Sequence, residues 1–347
     1  MKISDLRFSY PDELVATEPR RPSRVMWVDC RDLCGVDNQK ADLQKDSSIT
    51  EAQELAWSEF LEKIPSGDVL VVNDTKVVKR RVFSSELEIL FLDLIDPQKN
   101  IWSVLFPSKK MKIGQVINLP GSAQMTLLEK GRPQKVQLDQ FLNDDYFEKY
   151  GEVPLPPYIQ KARGERHHRK DDEAWYQTVW AENPGSFAAP TASLHFSPQD
   201  LERLRAKGVK ILKVTLHVGL GTFLPVLADD LNDHKMHSEF VEISIETWEE
   251  ILRSKLQGKK IWSLGTTTTR ALESQAKGLL QKNTKSYLGL TDILIQPGFQ
   301  WSVVDCLLTN FHQPESTLLA LVASFSSLER VQKVYQIAIE KKFRLFS

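Results

Sequence analysis

The sequence predicts an α/β protein interrupted by a small all-β module. Two observations carry that reading. Apolar strands followed by loops rich in Gly, Thr or His, often with a capped helix after them, recur at TLHVGLGTFLPV from Thr215, LGTTTTRALES from Leu264 and TNFHQPESTLL from Thr309. Between Ser85 and about Tyr150 the texture changes to short apolar or alternating segments separated by Asn, Gly, Pro and Lys, with no long helical pattern. Alternation of strand and helix argues for an α/β sheet, and a run of short strands argues for a small barrel. The expected division is residues 1–82 with 151–347 for the α/β part and 83–150 for the insertion.

The elements follow in order. A strand is expected at Val25 to Val28, a polar loop over 37–54 and a short helix around Glu59 to Ile64, closed by the Pro65-Ser66-Gly67-Asp68 turn. Val69 to Val72 is a buried apolar strand that delivers Asn73, Asp74 and Thr75 at its end. The insertion contributes Leu87 to Ile95, Ile101 to Phe106, Gln115 to Leu119, Met125 to Leu128 and Lys135 to Leu138. After Tyr176 the α/β pattern resumes, with strands at Val209 to Val218 and Ile261 to Leu264 and others near Ile293 and Val303. Helices are expected after a Thr247/Glu250 capping box, from about Arg270, and over Leu328 to Lys342 with Ser326 and Glu329 as its box. Ser197, Pro198 and Gly208 supply the cap, first position and stop of another.

Composition sets the class. With 41% apolar and 26% charged residues over 347, the chain has ample material for a buried core. It shows no charged-then-apolar leader and no apolar run near the about 18 residues a membrane span needs, so a cytoplasmic protein is expected; it is also expected to be a monomer. Cys30, Cys34 and Cys306 lack paired zinc or thioredoxin spacing. The formal net charge is −1, so a polyanion would have to be met by a local basic patch. Arg163, Arg166, Arg169 and Lys170 form such a cluster, and most runs of this kind are simply solvated loops.

The stretch Gly185 to Phe196, GSFAAPTASLHF, has the small residues, hydroxyls and single His of a site wall. With the three strand-loop stretches it is read as lining one pocket, because ligands gather where strands end and helices begin. His195, His217 and His312 each follow apolar residues in a polar loop, which makes them acid-base candidates. Thr266, Thr267, Thr268 and Arg270 offer hydroxyls, helix-start N–H groups and a guanidinium, a seat for a carboxylate or phosphate. Gly219, Gly221 and Thr222 lack the third Gly of a dinucleotide fingerprint. His234 and His237 could hold a metal if helical, but no carboxylate or Cys pattern completes the set and no metal is expected. No Gly-rich first loop of the Rossmann kind is present either.

NDTKVV, PLPPYI, YQTVWAENPGSFAAPTASLHF, TLHVGLGTFLPV, HKMHSE, GTTTTRALES and TNFHQPESTLLALV occur in one order along the chain. That order resembles the S-adenosylmethionine:tRNA ribosyltransferase-isomerase family of queuosine biosynthesis. The resemblance implies a discontinuous, barrel-like α/β domain with an inserted small β-barrel. It also implies transfer of the ribosyl moiety of S-adenosylmethionine, a co-substrate and not a cofactor, to 7-aminomethyl-7-deazaguanine at the tRNA wobble position. The products would be epoxyqueuosine tRNA, adenine and methionine. On that reading His195, His217, His312 and Arg270 are the catalytic candidates. Asn73, Asp74, Thr75, Thr191, Gly219, Gly221, Thr222, His237, Glu239, Thr266, Thr267, Thr268 and Asn310 would surround the substrate, and the 163–170 cluster would meet tRNA. Lys76, Ser193, Gln313 and Glu315 depart from the family's usual residues. The alternatives are a tRNA-binding member with lost or weak catalysis and, made weaker by the absence of a Gly-rich first loop, an S-adenosylmethionine-dependent methyltransferase.

Overall fold

The computed structural model describes residues 1–30, 52–219, 221 and 228–346; Cys34 and Thr222 lie outside the described residues. The larger sheet has seven strands in the order Gln281–Lys282, Ser286–Thr291, Glu239–Ser244, Lys210–Leu216, Val69–Asn73, Ile261–Leu264, Cys306–Leu308. The last four run parallel and the first three form an antiparallel wing. Among the described residues no ladder joins the two edges, so this is a mixed α/β sheet that stays open.

Val69–Asn73 is buried at every position because both faces of the sheet are covered. Leu70 and Val72 pack with Trp57, Phe60, Phe196 and Leu204 on one face, whereas Val69 and Val71 pack with Trp248, Ile251, Ala271 and Leu272 on the other. Period-2 alternation thus sends one apolar run into two cores, which is why it reads as continuous.

The second sheet takes its strands from residues 81 to 152. It is antiparallel, in the order Gly151–Glu152, Arg81–Ser84, Leu87–Asp96, Ile101–Leu105, Gln134–Leu138, Gln124–Glu129, Val116–Asn118. It has its own core, centred on Phe91, Trp102, Met125 and Phe147. The sheet curls until Ser84 Oγ donates to the Asn118 carbonyl at 2.6 Å, although among the described residues no backbone ladder links the edge strands. The helix Asp144–Tyr150, capped by Asn143, was not expected in this segment.

Several boundaries differ from the expectations for identifiable reasons. Gln53–Ala56 is a strand paired with Arg24–Trp27, where a loop was expected to continue. The helix Ile245–Leu256 is capped by Ser244, not Thr247, because the preceding strand ends on a hydroxyl that reaches Thr247 N at 3.0 Å. Ser327, not Ser326, caps Leu328–Glu340. The segments around Ile293 and Val303 lie outside named strands. There Glu273, fully buried, accepts from the N–H groups of Ser302, Val303 and Val304 and so substitutes for a neighbouring strand. The threonine run is helix, Thr266–Ala276. Thr268 and Thr269 turn their hydroxyls back to the carbonyls of Leu264 and Gly265, so they continue the helix where a loop was expected.

Asn73 ends the central strand and its carboxamide continues the ladder. Oδ1 accepts from Leu216 N at 3.0 Å while Nδ2 donates to Leu216 O at 2.9 Å, the two bonds a next peptide would make. The main chain is thereby released, and Thr75–Val77 pairs instead with Asn183–Ser186. Replacing Asn73→Asp removes the donor and sets a carboxylate against a buried carbonyl. The expected loss is about 2–4 kcal/mol of unfolding free energy in denaturant titration, the scale of a buried unsatisfied charged group.

Candidate active site

The parallel strands end on one edge, and beyond them come Asp74, His217, Gly265, Thr309 and Asn310. The Gly185–Phe196 stretch crosses that edge and is stitched to it. Ser186 Oγ accepts from Val218 N at 2.9 Å, and Phe187 N donates to the Val218 carbonyl. Thr191 accepts from Asn310, and Ala192 packs against Gly265, 3.7 Å from where a Cβ would stand. At Gly185 a Cβ would fall 2.8 Å from the His217 ring, so only glycine allows this approach.

His217 rests on Phe240, with ring centroids 5.6 Å apart and stacked, and its Nδ1 lies 2.8 Å from Thr75 Oγ1. Thr75 N donates in turn to Asn73 Oδ1, and Asn73 Nδ2 reaches Thr267 Oγ1 at 3.3 Å. Burial holds the His217 pKa below the ordinary value, against the pull of Asp74 and Glu242. No hydrogen bond engages its Nε2 among the described residues. The ring therefore carries one positioned nitrogen and one available to a substrate. Asp74 is buried, and its Oδ1 accepts from Thr215 Oγ1 at 2.7 Å.

His195 belongs to a second network. Nδ1 lies 2.7 Å from Ser23 Oγ and Nε2 2.7 Å from Asn310 Oδ1. Burial lowers its pKa; the Asn310 bond opposes that shift, and the cations of Arg21 and Arg344 add to it. Ser23, His195 and Asn310 border a cavity of about 1060 Å³, whose wall includes Trp27, Trp57 and Trp262 and whose cations include Lys63 and Lys260. Ser23 carried no signal in the sequence, because it sits in an irregular Pro- and Arg-rich segment 172 residues from its partner.

The third imidazole stands apart. His312 Nε2 is 2.9 Å from Thr309 Oγ1, its backbone N donates to Tyr335 Oη, and it does not border the cavity. Burial pushes its pKa down to about 4.

Thr266–Ala276 begins with no side-chain cap, leaving the N–H groups of its first turn directed at the strand-end edge. Arg270, four residues on, is not free. It is ion-paired with Glu239, which also accepts from Gly219 N at 3.0 Å, and its Nε donates to the Ile293 carbonyl. Its buried Nη2 has no hydrogen-bond partner among the described residues. His237 is exposed and lies over Gly221, 3.3 Å from a Cβ position there. The segment from His234 to His237 is not helical, so the spacing that suggested a metal pair does not place both rings on one helix face.

The basic cluster is largely committed within the protein. Arg163, 5% exposed, forms a two-pronged pair with Asp172 at 2.7 and 2.8 Å and donates to the Thr17 carbonyl. Arg169 pairs with Glu165, and Arg166 lies 3.7 Å from Glu88. Lys170 is exposed.

His312 makes a pH prediction. Its folded pKa of about 4 lies below the ordinary histidine value of about 6.5, so the unfolded chain binds the extra proton and stability falls as pH drops from 6.5 towards 4. In melts across that window, His312→Gln is expected to flatten part of the wild-type decline; an unchanged pH dependence would assign the loss to other groups.

The chain matches the family model described as "Queuosine biosynthesis protein" over residues 3–347. It is 38% identical over 361 aligned residues to an S-adenosylmethionine:tRNA ribosyltransferase-isomerase of Halothermothrix orenii, covering 100% of this chain and 98% of that one. It also resembles the crystal structure of an S-adenosylmethionine tRNA ribosyltransferase from Thermotoga maritima, at 27% identity and a TM-score of 0.52, over 99% of this chain and 97% of the other. The stretches those matches span include every wall of the strand-end edge, and the chain belongs to the queuosine biosynthesis protein family.

Proposed function

We propose that the chain is an S-adenosylmethionine:tRNA ribosyltransferase-isomerase. It transfers and isomerises the ribosyl moiety of S-adenosylmethionine onto 7-aminomethyl-7-deazaguanine at the wobble position of tRNA. Epoxyqueuosine tRNA forms, and adenine and methionine leave. The observation that carries this reading is the full-length match to a relative of that name, joined to two neutral imidazoles at the strand-end edge.

The reaction needs a base for the acidic C–H beside the sulfonium and an acid for the departing adenine. The accessible Nε2 of His217 suits the group that meets adenine directly, with Thr75 fixing the ring. The uncapped start of Thr266–Ala276 suits the methionine carboxylate, since its N–H groups and dipole favour an anion. The sulfonium already makes methionine a leaving group, so the scheme needs no metal. Arg270 and Glu239 work as a neutral pair that holds Gly219, not as a ligand clamp. The curled insertion acts as a small barrel module beside this site.

With Arg163 committed to Asp172, the cavity rim is the better RNA surface. Lys63 and Lys260 are exposed at a wall that also presents Trp27 and Phe311, a combination suited to phosphates and an unstacked base.

Incubation with S-adenosylmethionine and the modified tRNA tests the proposal by product analysis. Adenine and methionine are expected; S-adenosylhomocysteine would indicate a methyltransferase, and RNA binding without turnover would leave only a binding protein. His217→Ala is expected to lower kcat by about two orders of magnitude, the usual scale of a lost acid-base group. Replacing Lys63 and Lys260 together with Ala should weaken tRNA binding and flatten its log–log salt dependence by about 0.7–0.9 per lost contact. An unchanged slope would place the RNA elsewhere.

A further inference from the structure

The Ser23, His195 and Asn310 array has a direction. Asn310 Nδ2 donates to Thr191 Oγ1 at 3.0 Å and to the Phe346 carbonyl at 3.3 Å, so its oxygen must face the imidazole. Nε2 of His195 therefore carries the ring proton and donates it to Asn310 Oδ1. Nδ1 is the bare nitrogen, and the Ser23 hydroxyl donates to it. Both ring nitrogens are thus occupied by protein, and His195 has no nitrogen left for a substrate. A hydroxyl on a base that is held in turn by a third group is the arrangement that activates an oxygen for proton or bond transfer. All three residues border the same cavity.

We infer that Ser23 is a catalytic residue of the reaction proposed above: it is the hydroxyl through which His195 accepts a proton from the substrate, and Asn310 is the positioning residue behind it. As Ser23 Oγ takes the proton from the carbon beside the sulfonium, its own proton passes to Nδ1. The carbon keeps the electron pair, and His195 becomes an imidazolium still bonded to Asn310. Arg21 and Arg344 face the ring and disfavour that cation, and the Trp57 ring lies 6.1 Å away. The disfavoured imidazolium therefore returns its proton through the Ser23 hydroxyl to water once the products leave the cavity, which resets the relay. The inference rests on the proposed reaction but concerns a group that no feature of the sequence singled out.

The test uses the full chain with Ser23→Ala and Ser23→Thr. Ser23→Ala should lower kcat about 100-fold with little change in KM for S-adenosylmethionine and an unchanged melt, the signature of an interaction made in the transition state. Ser23→Thr keeps the hydroxyl and should restore most of the rate. The base must be neutral to act, so wild-type kcat should fall as pH drops through the depressed His195 pKa, and that limb should vanish in Ser23→Ala. Near wild-type kcat in Ser23→Ala, equal losses in both variants, or a change in KM alone would overturn the relay. Lack of turnover by the wild type would instead sink the proposed reaction. The imidazole ¹⁵N spectrum of His195 reads the relay independently: protonated Nε2 with an Nδ1 signal that moves in Ser23→Ala supports it, and an Nδ1–H tautomer overturns it.

Discussion

The carboxamide of Asn73 is the constraint from which the strand-end edge is built. A parallel strand that ends inside a protein leaves peptide groups that water cannot reach, and each needs a partner. Asn73 supplies both halves of the missing peptide to Leu216 from a side chain, which frees the backbone to depart at Asp74. The same amide then touches Thr267, and its carbonyl accepts from Trp180 Nε1 at 2.9 Å. One residue thus joins the central strand, its neighbour, the start of a helix and the segment leading into the Gly185–Phe196 stretch.

Electrostatics at this edge favours neutral imidazoles. His195 and His217 are both held below the ordinary histidine range by burial. Arg270 is balanced by Glu239 at once. What remains for anions is the dipole and the uncapped N–H groups of Thr266–Ala276, a positive potential that does not titrate. For a sulfonium substrate that carries its own positive charge, imidazoles that rest neutral avoid a repulsion that resting imidazolium groups would impose.

Charge elsewhere follows a different logic. The 162–173 segment looked like a basic patch, yet its carboxylates are interleaved so that Arg163, Arg169 and His167 find Asp172, Glu165 and Glu152. Arg81, 1% exposed, lies between Glu88 and Glu152 and donates to the carbonyl of Arg166. The cluster therefore pins the segment to the start of the curled sheet, which spends its charge on internal partners.

The sequence by itself determined the parallel strands of the larger sheet and most strands of the second, because apolar periodicity and turn residues are local signals, but not the antiparallel wing Gln281–Lys282, Ser286–Thr291 and Glu239–Ser244. Val69 to Asn73 and Ile261 to Leu264 were legible in this way, as was the Ser197 cap; of the four stretches read as walls of one pocket, the Gly185–Phe196 and Thr309 stretches border the cavity and the described residues of the other two do not. The family was legible too, since its motifs are long and ordered. What only the tertiary structure decided was pairing between distant residues. Ser23 meets His195 across 172 positions, and Arg270 finds Glu239 on a strand of the larger sheet. His312 has the same local context as His195 but turns to Thr309 and Tyr335. A side chain's partner depends on which elements stack beside it, and no local pattern of residues encodes that distance.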